Sequence, residues 1–245
     1  MSNAQKMLWN RTAVEATAIV LSILLAFAID AWWDDRREAS VQHVQLQALL
    51  GEFEEARHQL ELQIGGLEVA LGGTVRVLEL TGPDASGEVG QVLRAALKQS
   101  LNIGVFSPQQ GSLQDVLATR GDIAYSNAEL WSLLQSWPAI VSDLQNDGQH
   151  LERNREEDFV GALVRLGVPM SPLVITEGLQ SRSIDGIGLN IPLSKFDVDW
   201  EVLLRDPGIE TVFTMRAIRS QLLLSNHQYA VEVANRIIAH LRENL

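Results

Sequence analysis

The chain has 245 residues, 46% of them hydrophobic, and carries a net charge of −12 with no cysteine. That composition suits a folded chain of one medium domain with an appendage or two small ones, and it excludes disulfides, cysteine-ligated metal and thiol chemistry. Residues 1–29 contain Lys6, Arg11 and Glu15, a balance of +1, so the remainder carries −13; with no basic stripe, nucleic-acid binding is disfavoured.

From Ala13 to Trp33 the chain reads "AVEATAIVLSILLAFAIDAWW", with Glu15 and Asp30 as its only charges. As a helix this run spans roughly 31 Å, the thickness of a bilayer's hydrocarbon layer. Trp9 on one side and Trp32–Trp33 on the other would lie about 34 Å apart by helical rise, as aromatic belts at two membrane interfaces do. Residues 1–12 then form an N-terminal flank, 13–33 a transmembrane helix, 34–80 a long helix emerging from it, and 81–245 a helical body. A signal peptide competes with this reading, since Ala26-Phe27-Ala28 has the A-x-A form of a cleavage site. The helical pattern runs past that point without Pro or Gly, and Glu15 interrupts the apolar entry, which favours an uncleaved anchor. A buried helix of a soluble protein is the third reading, and the paired tryptophans argue against it. Counting Lys6 and Arg11 against Arg36 and Arg37, the positive-inside rule favours by a thin margin a cytoplasmic N-terminus and a periplasmic or extracellular body.

On a helical wheel Glu15, Ala18, Ser22, Ala26 and Asp30 fall within about 120° of one another, opposite Val20, Leu21, Leu24 and Phe27. In lipid a stripe of small residues admits a second backbone, and polar groups bond across the contact. The stripe is therefore read as a face for self-association or for a membrane-protein partner. Against this, Ala and Ser are common residues, and both acids lie close enough to the ends to reach headgroup water.

Beyond Trp33, apolar residues from Leu46 through Phe53, Leu60 and Leu67 to Leu78 recur at steps of three and four, which predicts that the anchor continues as a rod. Gly65-Gly66 and Gly72-Gly73 mark either a bend or a flat spot against which another helix packs. "TGPDASGEVG", residues 81–90, reads as a linker, followed by a short helix over 89–100. "SLQD" at Ser112 and "SNAE" at Ser126 read as capping boxes opening two further helices. Trp137-Pro138 predicts a kink or restart before a helix that resumes to about Leu166. Residues 167–198 are rich in proline and glycine and read as a long irregular segment, with "PLVIT" as a β-prone stretch. In "RDPGIE", Asp206 caps and Pro207 opens a last helix, which could pair antiparallel with the N-terminal rod.

Motifs for chemistry do not survive inspection. Glu55 and His58 have the E-x-x-H spacing of di-iron bundles, but no second copy exists. Asp143–Asn154 imitates a calcium loop and fails at Gln145 and Asn154. "GIG" at 186–188 is half a dinucleotide fingerprint. Histidines 43, 58, 150, 227 and 240 are scattered. No catalytic residue, cofactor or metal is expected. A second reading keeps a sensory or ligand-binding body, with the 167–198 segment over a cleft near Trp131, Trp137 and Trp200.

The segments "AFAIDAWWDDRRE", "LQALLGEFEEARHQLE" and "GSLQDVLATRGDIAYSNAELWSLLQSW", with the leucine-rich C-terminal helix, resemble an uncharacterised family of bacterial single-pass membrane proteins. Ala56 departs from the family's polar residue at that place. The resemblance implies an anchored helical body in the bacterial inner membrane, and it carries over no activity, cofactor or catalytic residue.

Overall fold

The computed structural model describes residues 3–86, 90–101, 104–119, 127–169 and 195–245. The fold is mainly α, and no strand occurs among the described residues. Among the described residues seven helices follow one another: α1 (Asn3–Leu80), α2 (Gly90–Leu101), α3 (Gly111–Thr119), α4 (Ala128–Arg153), α5 (Val160–Arg165), α6 (Trp200–Arg205) and α7 (Pro207–Glu243). A π-helical segment, Asn154–Phe159, joins α4 to α5. The chain divides into two compact units, Met1–Leu50 with Leu245, and Gly51–Asn244. In the first unit Ser40 Oγ donates to the carbonyl of Arg37 (3.2 Å), and Gln47 and His43 share a hydrogen bond of 3.0 Å.

The second unit is built on three long helical stretches. Arg242 donates to Glu54 (2.6 Å) and Arg57 to Asn235 (3.4 Å), so the later part of α1 and α7 run antiparallel, as expected. Arg236 reaches Glu129 (2.6 Å) and Asn226 reaches Asp147 (2.8 Å), which makes α4 antiparallel to α7 as well. Between α1 and α4, Phe53 and Trp137 meet edge to face with centroids 5.1 Å apart, both almost fully buried. Such a pair adds about 0.5–1.5 kcal/mol to the burial of its own area. A second core gathers Val77, Leu93, Leu97, Leu163, Leu203 and Ile209 around Phe159 and Phe213, whose rings also meet edge to face. Five helices contribute to that cluster, so it closes the end of the bundle where the short helices collect.

Local chemistry explains where the helices begin and end. Asp206 Oδ1 accepts from Ile209 N (3.1 Å) with Pro207 in the first turn of α7, as the sequence predicts. Asp199 does the same for α6. The fourth helix differs from expectation by one residue: Asn127 Oδ1 takes the amide of Leu130 (2.9 Å), and Glu129 turns away to Arg236. Ser126 lies outside the described residues. At α3 the expected Ser112 cap is replaced by a distant one, because the Glu52 carboxylate of α1 accepts from the amides of Ser112 (2.8 Å) and Leu113 (3.4 Å). A carboxylate there satisfies free amides and meets the positive end of the helix dipole. Pro138 does not end α4, which runs unbroken from 128 to 153. α5 ends at Gly167, whose φ of +64° favours glycine, while Val168 N bonds to Leu163 O (2.9 Å) in a Schellman arrangement.

The two glycine pairs in α1 divide. A Cβ on Gly65, Gly66 or Gly72 would meet nothing within 4 Å, whereas one on Gly73 would sit 2.7 Å from Ala96 O, Gln99 Cβ and Ser100 N. One glycine of four thus allows α2 to approach closely, and the helix continues through both pairs to Leu80. The expected irregular segment is non-helical at its described ends, 167–169 and 195–198, and its remainder, 170–194 with "PLVIT" and "GIG", lies outside the described residues.

Candidate functional site

The features predicted to carry function lie on the first part of α1. The side chains of Trp9, Glu15, Ala18, Ser22 and Ala26 lie outside the described residues; those of Asp30, Trp32 and Trp33 are described and exposed. The Trp32 and Trp33 rings meet at 5.4 Å and 73°, and the Arg36 guanidinium stands 5.6 Å from the centre of the Trp32 ring. A cation over indole one turn beyond an apolar run gives that end of the helix an amphipathic collar, with an apolar body and a polar tip. Leu24, Leu25, Phe27 and Ile29 are exposed on the same stretch. Among the described residues no helix is long and apolar enough to cross a membrane; most of the 13–33 run lies outside the side chains described.

In the second unit the chemistry centres on a residue that motif reading passes over. Arg216 of α7 is 1% exposed. Its Nε donates to Ser100 O (2.7 Å), and its Nη1 donates to Leu151 O (3.2 Å) and Asn154 Oδ1 (3.4 Å). Ser100 belongs to the last turn of α2, where carbonyls run short of intrahelical donors and the dipole is negative, while Leu151 stands where α4 passes into the π-helical segment and its carbonyl also accepts from Asn154 N. The guanidinium therefore joins the C-terminal turn of α2 to the junction between α4 and the π-helical segment. Burial lowers its pKa to about 10, helped by the charge of Arg155 and opposed by Glu152, so it stays a cation at neutral pH. Asn154 passes the contact on, its Nδ2 donating to Asp158 Oδ2 (3.1 Å).

Above this node lies an open cleft of about 590 Å³, between the π-helical segment with α5 and the first turns of α7. Asp158, Arg165, Gly208 and Met215 line it. Arg165 is paired with Asp206 (3.1 Å) and Asp158 with Asn154. The first of these contacts ties the two cleft walls together, and the second lies within the π-helical wall. Among the described residues no three His, Cys, Asp or Glu side chains gather where they could hold a metal ion.

No family model, curated protein or solved structure matches the chain. The likeness to the single-pass family accordingly rests on the motifs quoted above.

Of the three tryptophans singled out in the body, Trp137 and Trp200 lie in different surroundings. Trp137 is in the filled core against Phe53, while Trp200 packs over Gly90 with Arg94 5.7 Å from its ring. Of the five histidines, His227 is the buried one: it is 3% exposed, its Nδ1–H donates to Leu223 O (2.9 Å), and its ring meets Phe106. Burial holds its pKa below the ordinary value, outweighing the Leu223 carbonyl and Asp147. Arg216 and His227 had a common signal in the sequence: each interrupts the apolar face that runs Phe213, Leu223, Ala230, Ile237 along α7. A charged or titratable side chain on such a face must bring its partners with it.

Proposed function

We propose that this chain is a membrane-anchored helical accessory protein, held by residues 13–33 and assembling with itself or with a membrane-protein partner, without catalysis of its own. The observation that supports it most is the exposure of Leu24, Leu25, Phe27, Ile29, Trp32 and Trp33, each between 47 and 67%. Leaving such side chains in water forgoes roughly 1.5–3 kcal/mol apiece relative to full burial, and a continuous apolar stretch marks a lipid or protein contact. The bilayer covers all sides of a helix at once, and that is what an apolar run interrupted only by Glu15 and Asp30 requires. Trp32, Trp33 and Arg36 then form the interfacial rim. The body stands on the side opposite the N-terminus, which for a bacterial inner membrane is the periplasm. The Glu15–Ala18–Ser22–Ala26–Asp30 stripe offers the contact face within the bilayer.

Native purification from membranes tests this reading. The chain should resist carbonate extraction, keep its N-terminus and emerge from detergent as an oligomer or complex that weakens in the S22L/A26L variant. Release by carbonate would refute the anchor. An unchanged assembly in S22L/A26L would refute the contact face.

A further inference from the structure

On α7, the exposed positions from Thr211 to Tyr229 are Thr211, Thr214, Met215, Ile218, Gln221, Leu222, Ser225, Gln228 and Tyr229. None is charged, although the chain carries −12 and acids stand exposed just outside the stretch at Glu210 and Glu232. Of the two arginines within it, Arg216 is held at its buried node and Arg219, half-buried, donates sideways to the carbonyl of His150 on α4 (3.4 Å). Along the middle of this face run Met215, Ile218, Leu222 and Tyr229, exposed by 41, 57, 56 and 58%. With Ser225 they occupy steps of three, four, three and four, the a/d seam of a helix paired with another helix.

We propose that this face docks a second copy of the same chain, α7 against α7. The charge pattern selects that occupant: two acidic bodies can meet along an uncharged strip, and nowhere along it does a like charge face its copy. The size fits as well. Covering the four apolar side chains on both copies removes on the order of 900 Å² from water, and the uncharged flank brings the total to about 1,200 Å², where specific interfaces begin. Met and Tyr at its ends with charges excluded from the centre is the composition of an interface core. Leu222 is the midpoint, seven residues from Met215 and seven from Tyr229, so it meets its own copy whether the helices run parallel or antiparallel. The contact deepens the self-assembly in the proposed function and rests on that part of it, but it lies in the body rather than in the anchor.

The absence of cysteine makes the test direct. L222C in the full-length chain, oxidised in native membranes, should give a disulfide-linked dimer as the main species, while E61C on an exposed face of α1 stays at background. L222D, placed in the M215C and Y229C chains, should abolish their cross-links with the helical signal unchanged. M215C linking to itself would mean parallel helices; linking only to Y229C in mixed expression would mean antiparallel ones, and either supports the docking. L222C dimer that persists in the S22L/A26L background supports α7 docking without the membrane stripe. L222C at the E61C level, in a chain still extracted as an oligomer, would overturn the α7 contact and leave the membrane reading standing.

Discussion

Adjacent glycines in α1 should respond to the same substitution with opposite signs. At Gly72 the added methyl of alanine enters open space, so G72A gains only the difference in helix propensity, about 1 kcal/mol. At Gly73 the same methyl would lie 2.7 Å from three atoms of α2, and two of those are backbone, Ala96 O and Ser100 N. Ordinary contact needs about 3.5 Å or more, so the last turn of α2 must move by several tenths of an ångström. That turn cannot move freely, because the Ser100 carbonyl takes the Arg216 Nε bond (2.7 Å) and Leu97 and Leu101 are buried in the core. Overpacking of this kind costs about 3 kcal/mol, and the propensity gain returns about 1, leaving G73A less stable by about 2 kcal/mol. For a chain of this size each kcal/mol shifts Tm by about 2–4 °C, so G72A should melt about 3 °C higher and G73A about 6 °C lower than the parent. Thermal and urea unfolding of the full-length chain, followed by far-UV circular dichroism, reads both. A G73A variant that melts as high as G72A would refute the close approach of α2.

Replacing Arg216 by methionine leaves the Ser100 carbonyl and Asn154 Oδ1 without the guanidinium's donors and Leu151 O with its backbone donor alone, and should cost about 3 kcal/mol in urea unfolding, with R216K losing less because a cation still reaches the end of α2. His227 is held below its ordinary pKa of 6.5, so the unfolded chain binds its proton first. The stability it contributes is present above that value and falls as pH drops from about 6.5 toward the folded value; H227Q should flatten this slope in a pH series of urea midpoints. D206A should lose about 1 kcal/mol through the α7 cap, while D206N keeps the cap and loses only the pairing with Arg165, a difference readable in the same unfolding assay.

Periodicity and local chemistry made the helices legible in the sequence. Leu46, Phe53, Leu60 and Leu67 announced the rod, and "RDPGIE" announced the start of α7 through a cap that needs only its own next three residues. The proposed anchor rests on the resemblance and the 13–33 run, since length and hydropathy are properties of a stretch and need no partner. The expected cap at Ser112 and the expected role of Glu129 in a capping box failed for the complementary reason. Ser112's amide is claimed by Glu52, sixty residues earlier, and Glu129 is drawn to Arg236, more than a hundred residues later.

Which glycine of two pairs receives a neighbouring helix, which arginine is buried and which tryptophan fills the core were decided only by packing. Arg216 reads in sequence like any helical arginine. It becomes a buried node because the last turn of α2 and the junction of α4 with the π-helical segment come to lie beside it and bring the Ser100 and Leu151 carbonyls and Asn154 Oδ1 to one place. The uncharged strip on α7 belongs to both levels: its composition is written in residues 211–229, but whether that strip faced inward or outward waited on the core that Phe213, Leu223 and Ala230 chose to build on the other side. Local hydrogen bonds and apolar spacing act over a few residues and can be read along the chain, whereas burial is a property of what arrives from far away.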